Sequence, residues 1–321
     1  MPTSSIRRDA LVAAFVTLAV FVGVSFGPLP DGTLISAESH DFAHVVVFGI
    51  VGLVLARTLR VLPPRTRPWA YVVMASLAVG GGFGLLTEIV QQRMGGFVSY
   101  GDVARDLLGT ALGSGAAIAL ERATPPAGRA LLWIVVISGL LAAAVPLGNA
   151  LLDYRARATL FPVLLDPGAP RGLAFARGFG RTVTAVALPG EWQAVDGGAE
   201  RALQVRIDSG QWPGLTLSEP APDWRGWRLL VVDLVNPDDA PLTLQLRIND
   251  RDHDHSYDDR YNVSIELPPR SRRRVEFPVA DIERAPRGRR MALDRIAKLI
   301  VFHDGAVPDR SFYVRAVALV R

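Results

Sequence analysis

Residues 69–90 read WAYVVMASLAVGGGFGLLTEIV, an apolar run interrupted by glycines and carrying one charged residue, Glu88, near its end. The hydrocarbon of a bilayer, about 30 Å thick, is crossed by about 20 such residues wound as a helix. Four other runs have the same character: Ala10–Phe26, Phe42–Leu59, Val103–Leu120 and Ala130–Leu152. The first follows Arg7 and Arg8 as a signal peptide would. The residues that close it, Ser25-Phe26-Gly27-Pro28, contain no small-residue cleavage site, so it reads as a retained helix. The first half of the chain is thus expected to be an all-α bundle of about five transmembrane spans.

Arginines orient it. Arg7 and Arg8 precede the first run, Arg57, Arg60, Arg65 and Arg67 separate the second from the third, and Arg122 and Arg129 separate the fourth from the fifth. The alternate loops, residues 27–41 and 91–102, contain only Arg93. By the positive-inside rule the N-terminus is cytoplasmic and the chain after Leu152 lies outside. The 321 residues therefore divide into a membrane domain, 1–152, a Pro-, Gly- and Arg-rich linker, 153–180, and an outer domain, 181–321. A mean hydropathy of +0.25 averages these unlike halves. The net charge of +4 rests on arginine, with Lys298 the single lysine, and points to a GC-rich bacterial genome. In the second half arginine alternates with aspartate, which leaves no basic stripe for nucleic acid. Cysteine is absent, which excludes disulfides and thiolate chemistry.

Ionisable residues of the membrane half gather at run ends. Asp41 and His44 open the second, Glu88 and Gln91 close the third, and Ser99, Asp102, Arg105 and Asp106 open the fourth. Spacings of three or four put the members of each pair on one helix face, and the derived topology puts all three groups on the outer side. Ser99-x-x-Asp102 also spells a capping box, and Asp41 suits an N-cap. Capping accounts for each residue singly. Three groups converging on one side favour a polar site, because carboxylates and a histidine facing lipid are expensive. Gly109-x-x-x-Gly113 and the glycines from Gly80 to Gly84 suit close helix packing.

On these residues the chain resembles the VanZ-like family of bacterial membrane proteins. The likeness runs from Asp41-Phe-Ala-His44 through Thr87-Glu88-Ile-Val-Gln91 and Ser99-Tyr-Gly-Asp102 to Gly109 and Gly113, and covers roughly residues 41–120. The chain departs from the family at Phe42, where lysine is common, at Asp106, where asparagine is usual, and in the greater distance of Arg93 from Asp102. The resemblance implies a bacterial plasma-membrane module and names no reaction.

Beyond Arg181 the pattern becomes alternating runs: Thr182–Leu188, Ala202–Ile207, Leu229–Val235, Leu242–Ile248, Tyr261–Leu267, Arg273–Val279, Ile296–Phe302 and Phe312–Val320. Strands without intervening amphipathic helices predict an all-β antiparallel sandwich of jelly-roll type. Asp223-Trp224-Arg225-Gly226-Trp227, the run Leu229–Val235 and Leu293-Asp294-Arg295-Ile296 are similar to the galactose-binding-like sandwiches that serve as carbohydrate-binding modules. That likeness makes Trp192, Trp212, Trp224 and Trp227 candidate stacking platforms for sugar rings, although packing accounts for any one of them. The loop Asp250-Arg-Asp252-His253-Asp254-His255 starts like a calcium loop but has His255 at the turn glycine and Tyr261 at the bidentate glutamate, and it reads as a polar rim loop.

Two functions compete. The first is an envelope protein without catalysis of its own, its outer domain binding a glycan or another envelope component. The second is an outer-leaflet enzyme acting on a lipid-linked glycan or phospholipid through His44, Glu88 and Asp102. No G-x-S-x-G, H-E-x-x-H or lipid-phosphatase signature is present, so the first is preferred, with no cofactor and no metal expected.

Overall fold

A computed structural model describes residues 32–62, 67–93, 99–179, 183–193, 199–207, 212–220, 223–307 and 309–321. The expected run Ala10–Phe26 lies outside them. The chain divides into two compact units, Met1–Leu151 and Leu152–Arg321.

Four helices of the first unit are described: α1 (Leu34–Val61), α2 (Trp69–Arg93), α3 (Tyr100–Ala119) and α4 (Pro126–Leu160), the last passing from one unit into the other. Three of them, α1, α2 and α4, are long and apolar enough to cross a membrane. The count of five spans is not reproduced. With 20 residues, α3 carries Asp102, Arg105 and Asp106 in its first turns and falls outside that group. Apart from Leu112, its buried residues are small or polar: Asp106, Gly109, Thr110, Gly113, Ser114, Ala117 and Ala119. This is the composition that lets helices approach closely. A Cβ on Gly113 would strike the backbone of Gly49, and one on Gly109 would strike that of Val45 and Gly49, so α3 lies against α1 backbone to backbone.

One boundary differs from expectation. Asp41 does not cap α1, which starts earlier at Leu34, where Thr33 Oγ1 accepts from the Ser36 N–H at 3.2 Å. Gly32, at φ +79°, supplies the left-handed turn before that cap. Asp41 and His44 therefore sit inside a helix.

The second unit is two antiparallel sheets face to face. One has the order β3 (Val183–Ala187), β4 (Arg201–Arg206), β11 (Ser311–Val320), β6 (Leu229–Asn236), β9 (Ser271–Pro278), with β1 (Val163–Leu165) also on β11. The other has the order β2 (Ala176–Phe179), β5 (Gly214–Ser218), β10 (Ile296–Phe302), β7 (Leu242–Asp250), β8 (Tyr261–Leu267). Among the described strands only the β3–β4 and β7–β8 connections stay within a sheet; every other connection changes sheet. The core between them takes Leu203, Leu234 and Val314 from the first sheet and Leu215, Leu246 and Val301 from the second, as alternation along each strand requires.

Two expectations are corrected here. The stretch 153–180 is no plain linker: it holds the end of α4, then β1 and β2, with Leu164 and Leu165 in the core. These strands are three and four residues long and lie among prolines and glycines, too short for alternation to show. The strands are also not wholly free of helix: α5 (Val279–Arg284) follows β9 and sinks Val279 and Ile282 into the core.

Candidate functional site

The polar residues of the helical unit converge. α1 supplies His40, Asp41 and His44, α2 supplies Glu88 and Gln91, and α3, with its cap, supplies Ser99, Asp102, Arg105 and Asp106. Asp106, one turn deeper on α3 than Asp102, accepts from His44 Nδ1 at 2.7 Å, and both side chains are buried. Gly84 makes the room, since a Cβ there would press on the Asp106 carboxylate. An accepting carboxylate fixes the proton on Nδ1, which turns the Nε2 lone pair of His44 outward from that pair. Nε2 lies 3.1 Å from Nε2 of His40.

Ser99 caps α3 as expected, its Oγ accepting from the Asp102 N–H at 3.2 Å. The reciprocal half of the box is different. The Ser99 N–H donates to Glu88 Oε2 on α2 at 2.5 Å, so the Asp102 carboxylate has no capping duty. It accepts instead from Arg105 at 2.7 Å, and Arg105 also pairs with Asp41 at 2.5 Å. Among the described residues the other Glu88 oxygen, Oε1, and Asp106 Oδ2 are buried without a hydrogen-bond partner. Gln91 is buried as well. Seven of the eight residues named from the sequence thus belong to one neighbourhood built from three helices, and Gln91 stands three residues after Glu88 on α2.

His40 was missed. It stands one turn before His44, and the His-x-x-x-His spacing on a helix was the available signal. With Asp102 these histidines bring one ligand atom each to within 4.8 Å of one another.

In the sandwich the four tryptophans part ways. Trp224 is completely buried and cannot stack on a ligand. Trp227 packs on the core, edge-on to Phe161, with Arg321 over its ring. Trp192 is partly buried against Leu188 and Tyr313. Trp212 alone of the four is exposed, at 53%. A residue the sequence reading passed over, Tyr257, is more open at 68%. It lines a cleft with Arg260, Tyr261, Asn262 and Arg287, and the Arg260 guanidinium lies over its ring at 4.9 Å. Arg260 and the neighbouring Arg247 each have a buried Nε without a hydrogen-bond partner, and neither has a carboxylate partner among the described residues.

The loop that starts at Asp250 brings His253, Asp254 and Asp259 together, but both ring nitrogens of His253 and both oxygens of Asp259 are engaged. Arg289 takes both oxygens of Asp259 and both of Asp250. His253 donates from Nδ1 to the Asp259 carbonyl and accepts at Nε2 from Arg247, and Asp254 accepts from the Ser256 N–H. The Arg289 guanidinium pushes the Asp259 carboxyl down to about 2.

No protein-family profile matches the chain, and no curated protein does. Solved structures resemble the sandwich. A family 11 carbohydrate-binding module from Clostridium thermocellum, in complex with a beta-1,3-1,4-mixed-linked tetrasaccharide, aligns with 49% of this chain and 93% of its own at 18% identity and a TM-score of 0.34. The CBM22-1 xylan-binding domain from Paenibacillus barcinonensis Xyn10C aligns with 50% of this chain and 95% of its own at 14% identity and a TM-score of 0.32. An exo-beta-agarase aligns with 49% of this chain and 25% of its own at 15% identity and a TM-score of 0.39. At these scores the likeness assigns neither family nor ligand, so the VanZ-like reading rests on the residues quoted for it, and the sandwich is described by its own two sheets.

Proposed function

We propose that the chain is an integral protein of the bacterial plasma membrane in which a VanZ-like helical module, N-terminus cytoplasmic, carries an outer β-sandwich of jelly-roll type that binds a cell-envelope glycan. The observation that carries the glycan reading is the cleft at Tyr257. An open aromatic ring flanked by Arg260, Asn262 and Arg287 combines a stacking surface with convergent hydrogen-bond donors, the mixture small-molecule sites use to hold and orient a ligand. Arg260, which lines the cleft and has no carboxylate partner among the described residues, favours a glycan with acidic groups. The helices support the membrane part of the reading: Met74, Leu131 and Leu141 are outward-facing and more than 60% exposed, whereas His44, Glu88 and Asp106 are buried.

The second reading, an outer-leaflet enzyme acting on a lipid-linked precursor or phospholipid, is favoured by the buried His44–Asp106 pair beside Glu88. It would use His44 as the proton-transfer group. Purified full-length protein in nanodiscs, applied to an array of neutral and acidic envelope glycans, separates the two. Retention of acidic glycans, lost in Tyr257→Ala and Arg260→Gln, is expected. No retention by the wild type, together with a product released from lipid-linked precursors, would replace the binding reading by the enzymatic one.

A further inference from the structure

Helix caps and ion pairs leave part of the helical cluster unexplained. His40 and His44 are one turn apart on α1 and share a face, and their Nε2 atoms are 3.1 Å apart. Two imidazole nitrogens aimed at each other share a proton or a cation. The separation is close to that of two donors on a tetrahedral ion with metal–nitrogen distances of about 2.0–2.1 Å. His44 already has the support a ligating histidine needs, since its Nδ1–H is held by the buried Asp106 carboxylate at 2.7 Å, the outer-shell contact that sets tautomer and ring orientation. A carboxylate oxygen of Asp102 completes a set of three ligand atoms within 4.8 Å of one another. The Asp102 side chain, 13% exposed, is largely withdrawn from solvent.

Charge points the same way. Asp41, Glu88, Asp102 and Asp106 surround the histidines, and Arg105 is paired with only two of them. Among the described residues Glu88 Oε1 and Asp106 Oδ2 are buried without partners. A divalent cation would compensate this excess. The group at His253 in the sandwich offers no such vacancy, because hydrogen bonds to Arg289, Arg247, the Ser256 N–H and the Asp259 carbonyl already engage it.

We infer that His40, His44 and Asp102 form a binding site for a divalent transition-metal ion, with Asp106 as the positioning partner of His44. Two imidazoles and one carboxylate suit zinc and disfavour calcium or magnesium, which take all-oxygen shells. Three protein ligands is also the number found where zinc keeps a position open to water or another ligand.

The test uses the full-length protein in nanodiscs, stripped with a chelator, re-equilibrated with zinc chloride alone and desalted before the metal is counted. One zinc per chain is expected. His40→Ala and His44→Ala should lose it, Asp106→Asn should weaken it by about 10–100-fold, and His253→Ala should retain it. Should His44→Ala fail to fold, His40→Ala decides, because that side chain is only half-buried. The inference is overturned if the wild type retains no zinc, if His40→Ala binds as tightly as the wild type, or if the zinc is lost in His253→Ala instead.

Discussion

In the helical unit His44, Glu88, Asp106 and Ser114 are sealed inside while Met74, Ile134 and Leu141 point out; in the sandwich Trp224, Phe312 and Leu244 are sealed inside and arginines and aspartates cover the outside. Each unit packs its interior, and the difference lies in what the exterior must dissolve in. An apolar exterior is stable against lipid and a liability in water. A buried carboxylate is costly in either medium unless it is paired, so the polar interior of the helical unit calls for a reason beyond stability. Arginine is used differently as well. In the sandwich Arg272 is held between Asp233 and Glu200, and Arg289 between Asp250 and Asp259. In the helical unit Arg105 serves two carboxylates out of four.

The contrast can be broken outright. If the units face different solvents as proposed, a reporter active only outside the cytoplasm should be fully active when fused after Arg321 and silent when fused between Arg60 and Arg67. The reverse pattern would place the polar cluster on the wrong side. A smaller effect sharpens the comparison. Trp224→Ala removes a wholly buried ring and should cost the sandwich about 3–5 kcal/mol. Unfolding followed by hydrogen exchange should show the loss in β6, β7 and β10 with protection of α1 and α3 unchanged. Equal loss in the helices would mean the units do not fold separately. The smallest effect comes from acid. Asp259 has a folded-state value of about 2, depressed below 3.8 by Arg289, so its contribution is full above the unfolded value and is lost as pH falls towards 2. The sandwich should hold its stability from pH 7 to about 5 and lose about 1 kcal/mol by pH 3, a loss absent in Asp259→Asn.

How much of this could be seen beforehand depended on the length of the pattern. Helix α2 was legible because its run of 22 residues, glycines included, carries no charge before Glu88. The outer strands β6, β7, β8, β10 and β11 were legible because each is a run of seven residues or more, and β7 alternates along most of its length. Strand β5, Gly214–Ser218, was not, although it lies between β2 and β10: almost every residue is buried, so there is no alternation to detect. The start of α1 was misplaced because Thr33 is an ordinary N-cap that looks like loop, while Asp41 looks like a cap and is not one. At the candidate site the carboxylates and His44 were found from clustering near run ends. His40 was overlooked because it precedes the apolar run, and the role of Glu88 as the partner of Ser99 depends on a contact between helices that no local spacing encodes. Among the tryptophans, burial decided the matter, and burial is a property of the folded sandwich.

The place of β11 has a consequence for how the outer unit comes into being. It lies between β4 and β6 and also carries β1, pairing Val163 with Ala318. The middle of one sheet is therefore the part of the unit synthesised latest, and its earliest strand waits for it. Pairings so distant along the chain are slow to find. If the chain emerges from a membrane as proposed, the sandwich must cross unfolded and assemble on the far side, with β4, β6 and β1 each presenting an unpaired edge until residues 311–320 arrive.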